Sequence, residues 1–133
     1  MADRDVNRFL RAADERLKDA RALAAAGRYG GSVYLAGYVI ECGLKAVHLS
    51  HVPAEQRTEV VAGYRSAKAH EDQHLLHLCD LRGAVVPDAV LRLVRGSTWT
   101  TDLRYDAKDV AARDADAAVD AAAEVVAWTR RST

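Results

Sequence analysis

Arg65 and His70, in Arg65-Ser66-Ala67-Lys68-Ala69-His70, stand five positions apart. Together they carry what cleavage of RNA without a metal requires. An imidazole takes and returns a proton near neutral pH, and a guanidinium holds phosphate charge. Arginine supplies 15 of the 19 basic residues, so an arginine ahead of a histidine also arises by chance. The competing reading of this stretch is a solvated loop.

A second constellation is the row Tyr34, Tyr38, Glu41 and Lys45, spaced i, i+4, i+7 and i+11 and hence on one line of a helix. On a surface, a Glu followed by a Lys at i+4 contributes only about 0.2–0.5 kcal/mol. On an otherwise apolar helix the two charges must either pair in the core or floor an open groove. The tyrosines above them offer hydroxyls and ring faces. The alternative is a buried polar network that fixes helix register. A third group, Trp99, Arg104 and Tyr105, precedes the last helical stretch. Free backbone N–H groups and Arg104 could hold a phosphate there while an aromatic ring stacks a base. Otherwise Trp99 and Tyr105 plug the end of a bundle and Arg104 pairs with Glu41.

His48/His51 and His74/His77 have the i, i+3 spacing that can present two imidazoles to a metal. Glu71-Asp72-Gln73-His74 fits one Glu-x-x-His element of a di-iron bundle, but such sites need two, and the chain has one. No metal and no cofactor are therefore expected, and these histidines are expected at the surface or at helix ends. Gly30-Gly31 lacks the Gly-Lys-Ser/Thr of a phosphate loop.

These groups must be positioned by helices. The chain has 133 residues, 50% of them hydrophobic and 29% charged, with only 8 Gly and 2 Pro, as expected of a single folded domain over 1–133. Its 19 basic and 19 acidic residues cancel, so no net field draws it to nucleic acid or to an anionic membrane. RNA binding would need a local patch or a groove formed on dimerisation. Cys42 and Cys79 show no paired spacing and read as small apolar fillers in a reducing compartment. No apolar run reaches the roughly 20 residues of a membrane span, and the start of the chain carries no signal-peptide pattern. A cytoplasmic protein is expected.

Apolar residues at Phe9, Leu10, Ala13, Leu17, Ala20, Leu23 and Ala24 predict an amphipathic helix ending near Gly27. Gly30-Gly31 breaks the pattern, Ser32 is placed as an N-cap, and Val33 to Leu49 reads as a central helix. Gly37 and Gly43 within it suggest close helix contacts. Short helices are expected over 54–64, 74–81 (with Leu75, Leu78 and Leu81 inward) and 88–95. A long final helix is expected from Asp106, with Val110, Ala111, Ala117, Ala118, Ala121, Val125 and Trp128 buried. No alternation marks a strand. The fold class is all-α, an up-and-down helical bundle of three long helices plus short ones.

With these elements in place, residues 27–46, from Gly27-Arg28-Tyr29-Gly30-Gly31 through Tyr38-Val39-Ile40-Glu41-Cys42-Gly43-Leu44-Lys45-Ala46, resemble the second-helix signature of HEPN domains. His74-Leu75-Leu76 is similar to that family's His-x-Leu segment, and Arg104-Tyr105 to its Arg-Tyr junction before the last helix. The resemblance implies a bundle that commonly homodimerises and often works beside a minimal nucleotidyltransferase partner in toxin–antitoxin or defence systems. Catalytic members are metal-independent ribonucleases with an Arg and, four to six residues on, a His near the last helix. Here no His follows Arg104, and Arg65 and His70 lie upstream of that place. Three readings stay open. One is a helical subunit binding nucleotide, RNA or a nucleotidyltransferase-type partner through Glu41, Lys45, Trp99, Arg104 and Tyr105. Another is a ribonuclease toxin using Arg65 and His70. The last is an interaction module without a ligand.

Overall fold

The computed structural model describes residues 4–66, 70–96 and 110–133. Trp99, Arg104, Tyr105 and Asp106 lie outside the described residues, and so does everything expected of them. The helices are α1 (Arg4–Ala25), α2 (Tyr29–Ser50), α3 (Arg57–Gly63), α4 (Asp72–Leu81), α5 (Asp88–Arg95) and α6 (Ala112–Ser132), with a 3₁₀ turn at Ala54–Gln56. No strand occurs among the described residues, and the chain is an all-α bundle.

α2 is the central element, packed against α1, α6 and α4. α1 offers it one stripe, Val6, Leu10, Ala13, Leu17 and Ala20, in steps of three and four. α1 ends as its sequence requires. Gly27 adopts φ +76, the Arg28 N–H bonds the Leu23 carbonyl at 2.8 Å, and the Gly27 N–H bonds that of Ala24 at 3.1 Å. That is the Schellman arrangement, which a residue with a Cβ would strain. The chain then turns straight back into α2. At the other end of α2, the Arg57 guanidinium reaches back from α3, its Nε donating to the carbonyls of Leu49 (3.2 Å) and Val52 (3.0 Å). Leu49 lies in the last turn of α2 and Val52 just past its end, so the guanidinium ties the chain down where α2 stops.

Four expectations are corrected. Ser32 is not an N-cap. α2 begins earlier, at Tyr29, and the buried Ser32 hydroxyl donates instead to the Ala20 carbonyl of α1 at 2.7 Å. Gly31 allows this approach, since a Cβ there would stand 3.2 Å from Leu23 Cδ1. Leu81 is not inward but 66% exposed. The final helix begins at Ala112, with Ala111 in extended geometry ahead of it, rather than at Asp106. Its buried face is Ala115, Val119, Ala122, Val125, Val126, Trp128 and Thr129, whereas Ala117 is exposed. Alanines on every side of that helix left its inward face undetermined.

Gly43 sits at the α2–α6 crossing, where a Cβ would come within 2.9 Å of Thr129 Cγ2, a fully buried β-branched side chain. Gly63, at the end of α3, has nothing within 4 Å of a Cβ. Gly43→Val is expected to destabilise the protein by about 1–3 kcal/mol through overpacking. Gly63→Ala should be neutral or stabilising by up to about 1 kcal/mol. Urea unfolding of both variants measures the contrast.

Candidate functional site

The polar row of α2 lies where its spacing places it, but beneath the surface. Lys45 Nζ donates to Glu41 Oε2 at 2.7 Å, and both side chains are only 5% exposed. The ammonium is roofed by aromatic rings. It stands 5.2 Å from the Tyr64 ring centre and 6.0 Å from that of Phe9, within cation–π range. Phe9 and Tyr64 meet edge to face at 5.7 Å. Glu41 and Lys45 thus form a closed, buried pair, not the floor of an open groove. Towards the start of α2 the half-buried Tyr34 and Tyr38 hydroxyls share a hydrogen bond of 3.0 Å, and their rings are perpendicular.

His70 joins this pair from outside. Its Nδ1 lies 3.1 Å from Glu41 Oε2, the same oxygen that Lys45 contacts, while 36% of the side chain stays exposed. A carboxylate only accepts, so Nδ1 carries the proton. In the neutral ring Nε2 is then the free lone pair. The imidazole is oriented by a buried anion and open to solvent, the arrangement expected of a general base. Arg65, at the C-terminal side of α3, is exposed, and its side chain makes no hydrogen bond or ion pair among the described residues. An exposed guanidinium is available to a phosphate.

Sequence reasoning missed Asp72, His48 and Tyr64. Asp72 opens α4, two positions after His70, and is 8% exposed. Neither of its carboxyl oxygens has a hydrogen-bond partner, nor does Glu41 Oε1. Burial first, and then the Glu41 charge, push the Asp72 carboxyl up to about 7, against the pull of Lys45. His48 was expected at the surface or at a helix end; it lies in the last turn of α2, but buried there, at 4% exposure. Its Nδ1 meets the Tyr64 hydroxyl at 2.5 Å, and that hydroxyl donates to the Lys45 carbonyl at 3.4 Å. Burial, helped by Arg82, His51 and His74, lowers His48 to about 4, so its ring is neutral at pH 7. The signal was present, because His48 continues the row of Glu41 and Lys45 by one further i+3 step. Among the described residues no group of three or more His, Cys, Asp or Glu is placed to hold a metal ion. No described helix is long and apolar enough to cross a membrane. Cys42 and the buried Cys79 are free, and burial raises both thiols, Cys42 to about 11 and Cys79 to about 12.

Asp72 sets a stability dependence on pH. Its carboxyl titrates near 3.8 in the unfolded chain and near 7 in the folded one. Stability is therefore greatest below the lower value and falls as pH rises through the higher. Asp72→Asn removes the ionisation. Its melting temperature relative to wild type should rise between about pH 5 and about pH 8, by an amount equivalent to on the order of 2–4 kcal/mol. Thermal melts at the two pH values check this, and an offset independent of pH would contradict it.

The HEPN domain profile matches residues 6–132, nearly the whole chain. No curated protein and no solved structure matches significantly. The family is associated with nucleotidyltransferase partners and with ribonuclease activity. A match of this extent, on an all-α bundle with the polar row at the centre of its second helix, shows that this chain belongs to the HEPN domain family.

Proposed function

We propose that this chain is the RNA-binding and RNA-cleaving helical subunit of a two-component system, with His70 as general acid–base and Arg65 as phosphate ligand. The hydrogen bond from His70 to the buried Glu41 carboxylate carries this reading. A solvated loop would not supply His70 with an anion that fixes its tautomer. In the reaction, His70 Nε2 takes the proton of a ribose 2′-hydroxyl. The 2′-oxygen bonds to phosphorus, the bond to the 5′-oxygen breaks, and the imidazolium returns its proton to that oxygen. The products are a cyclic phosphate end and a free 5′-hydroxyl. Arg65 offsets the charge that builds on the phosphate in between. Glu41 is a positioning residue, and Lys45 holds its carboxylate in place. The same reading takes a second copy of the chain and a nucleotidyltransferase-type protein as its partners, in keeping with the family's associations. The roles of Trp99, Arg104 and Tyr105 at the RNA belong to this proposal too.

The test is cleavage of a mixed single-stranded RNA by purified protein with chelator present. Wild type should cleave. His70→Ala should lose at least about 100-fold of the rate, the usual contribution of a general acid–base. Arg65→Ala should lose about 10-fold or more, as a charged hydrogen bond to the phosphate is removed. An inactive wild type, or cleavage that survives in His70→Ala, sinks the reading.

A further inference from the structure

Asp72 stands two residues after His70, buried near the charged pair of α2 and bonded to neither member. The helix it opens, α4, packs against α2 and α5. From α2 the charged groups that face Asp72 are Glu41 and Lys45. α5 sets Arg95 in a groove with Gln73, His77 and Asp80, to which Asp72 does not contribute. α1 and the end of α3 bring the uncharged rings of Phe9 and Tyr64 to Lys45. The start of α4 has little else to hold it. Glu71 makes no side-chain cap bond, and the helix begins on the bond of the Leu75 N–H to the Glu71 carbonyl, at 3.0 Å. Among the described residues from 65 to 72, the polar tie to α2 is the bond of His70 to Glu41.

A carboxyl so placed is seated well only while it is neutral. Ionised, it is a second buried anion beside Glu41, served by one ammonium and by no donor of its own. In water the same carboxylate is well placed, because it stands in the first turn of a helix, whose dipole favours an anion. Lifting that one turn off α2 therefore relieves the charge. Leu76 and Cys79, buried further along, keep the rest of α4 in place. His70 follows Asp72, since two Cα steps put the two residues within about 8 Å of each other.

We propose that Asp72 is a positioning residue for His70, and that the start of α4 is a latch closed by the proton on Asp72. With a neutral carboxyl the first turn seats on α2 and holds His70 Nδ1–H on Glu41. With an ionised one the turn lifts, and the imidazole loses the anion that aims it. The consequence for catalysis rests on the ribonuclease reading, but the latch itself does not. Burial and the Glu41 charge hold the carboxyl up to about 7 in the closed state. Opening thus grows more favourable as pH rises from the carboxyl's ordinary 3.8, and levels off above about 7.

Amide hydrogen exchange of the full chain, read by NMR as protection factors, follows the latch. The Leu75 N–H should be at least about tenfold less protected than that of Leu44 in the core of α2, because it opens without global unfolding. Its protection should fall on the order of 100-fold between pH 5 and pH 8 in wild type, and stay level in Asp72→Asn. Nitrogen NMR of the histidine rings reads His70 itself. The ring proton stays on Nδ1 while Glu41 accepts from it, so at pH 8 Asp72→Asn should keep a larger Nδ1–H fraction than wild type. In cleavage of single-stranded RNA, the rate of Asp72→Asn relative to wild type should rise over the same pH range.

Equal protection of Leu75 and Leu44 at every pH overturns the proposal, since α4 would then open only with the whole fold. So does protection that changes alike in wild type and Asp72→Asn, or an Nδ1–H fraction at pH 8 that the substitution leaves unchanged. The wild-type exchange series decides the matter by itself should Asp72→Asn fail to fold. A latch seen in exchange, with no RNA cleavage by either protein, would stand while the ribonuclease reading fell. Cleavage lost in His70→Ala, with exchange at Leu75 that does not change with pH, would do the reverse.

Discussion

The buried contact between Glu41 and Lys45 is the constraint around which the bundle is arranged. Both side chains are 5% exposed at the middle of the central helix. Removing a charge from water costs several kcal/mol even after relaxation, and one ion-pair contact does not repay two such costs unless further groups join it. The surroundings show how the debt is met. Phe9 of α1 and Tyr64 at the end of α3 lay their rings by the ammonium, and His70 brings a second donor to the carboxylate oxygen already bonded to Lys45. Three segments distant in sequence are thereby fixed to one turn of α2. Apolar packing alone would tolerate a shift of α3 along α2, but the charges would not.

The same constraint leaves a deficit. One ammonium serves two buried carboxyl groups, and Glu41 Oε1 and both Asp72 oxygens are without partners. A neutral Asp72 resolves the imbalance, which is why burial and the neighbouring Glu41 hold its proton up to about 7. A protein under selection for stability alone would place an apolar residue at this position. The buried carboxylate of Glu41 is instead what would stabilise a positive ring at the edge of the cluster. The group at that edge is His70, the one member of the cluster with substantial exposure. A general base must become cationic during its reaction, and here it would do so beside a buried anion.

Most of this was legible in the sequence, for physical reasons that differ by residue. α1 and α2 could be read because their apolar periodicity is unambiguous and because Gly27 sits where a left-handed residue must end the first helix. The i, i+4 spacing of Glu41 and Lys45 foretold their contact. Burial could not be read from spacing, since the same pair occurs on surfaces. His70 could be named only through its distance from Arg65. Its bond to Glu41, 29 residues earlier, is tertiary and has no local signature. Asp72 stood out only as part of Glu71-Asp72-Gln73-His74, ahead of the helix expected at 74–81, and only the packing of α4 against α2 removes it from water. The inward face of α6 failed for want of contrast, because alanine fits a core and a surface equally well.

Tyr64 joins the two halves of the candidate site. Its ring lies by the Lys45 ammonium, and its hydroxyl bridges His48 to the Lys45 carbonyl. A pocket lined by His48, His74 and Arg82 also has Tyr64 in its wall. A ring in that place has to be held still, since it roofs the Lys45 ammonium. Its anchors meet that need. The ring is 6% exposed, Phe9 packs edge to face against it, and burial keeps its hydroxyl protonated well above the usual tyrosine range. A phenylalanine here would keep the roof over Lys45 but lose the hydroxyl that His48 meets. One tyrosine can serve the Lys45 ammonium and His48 at once, because it is hydrophobic on its face and polar at its tip.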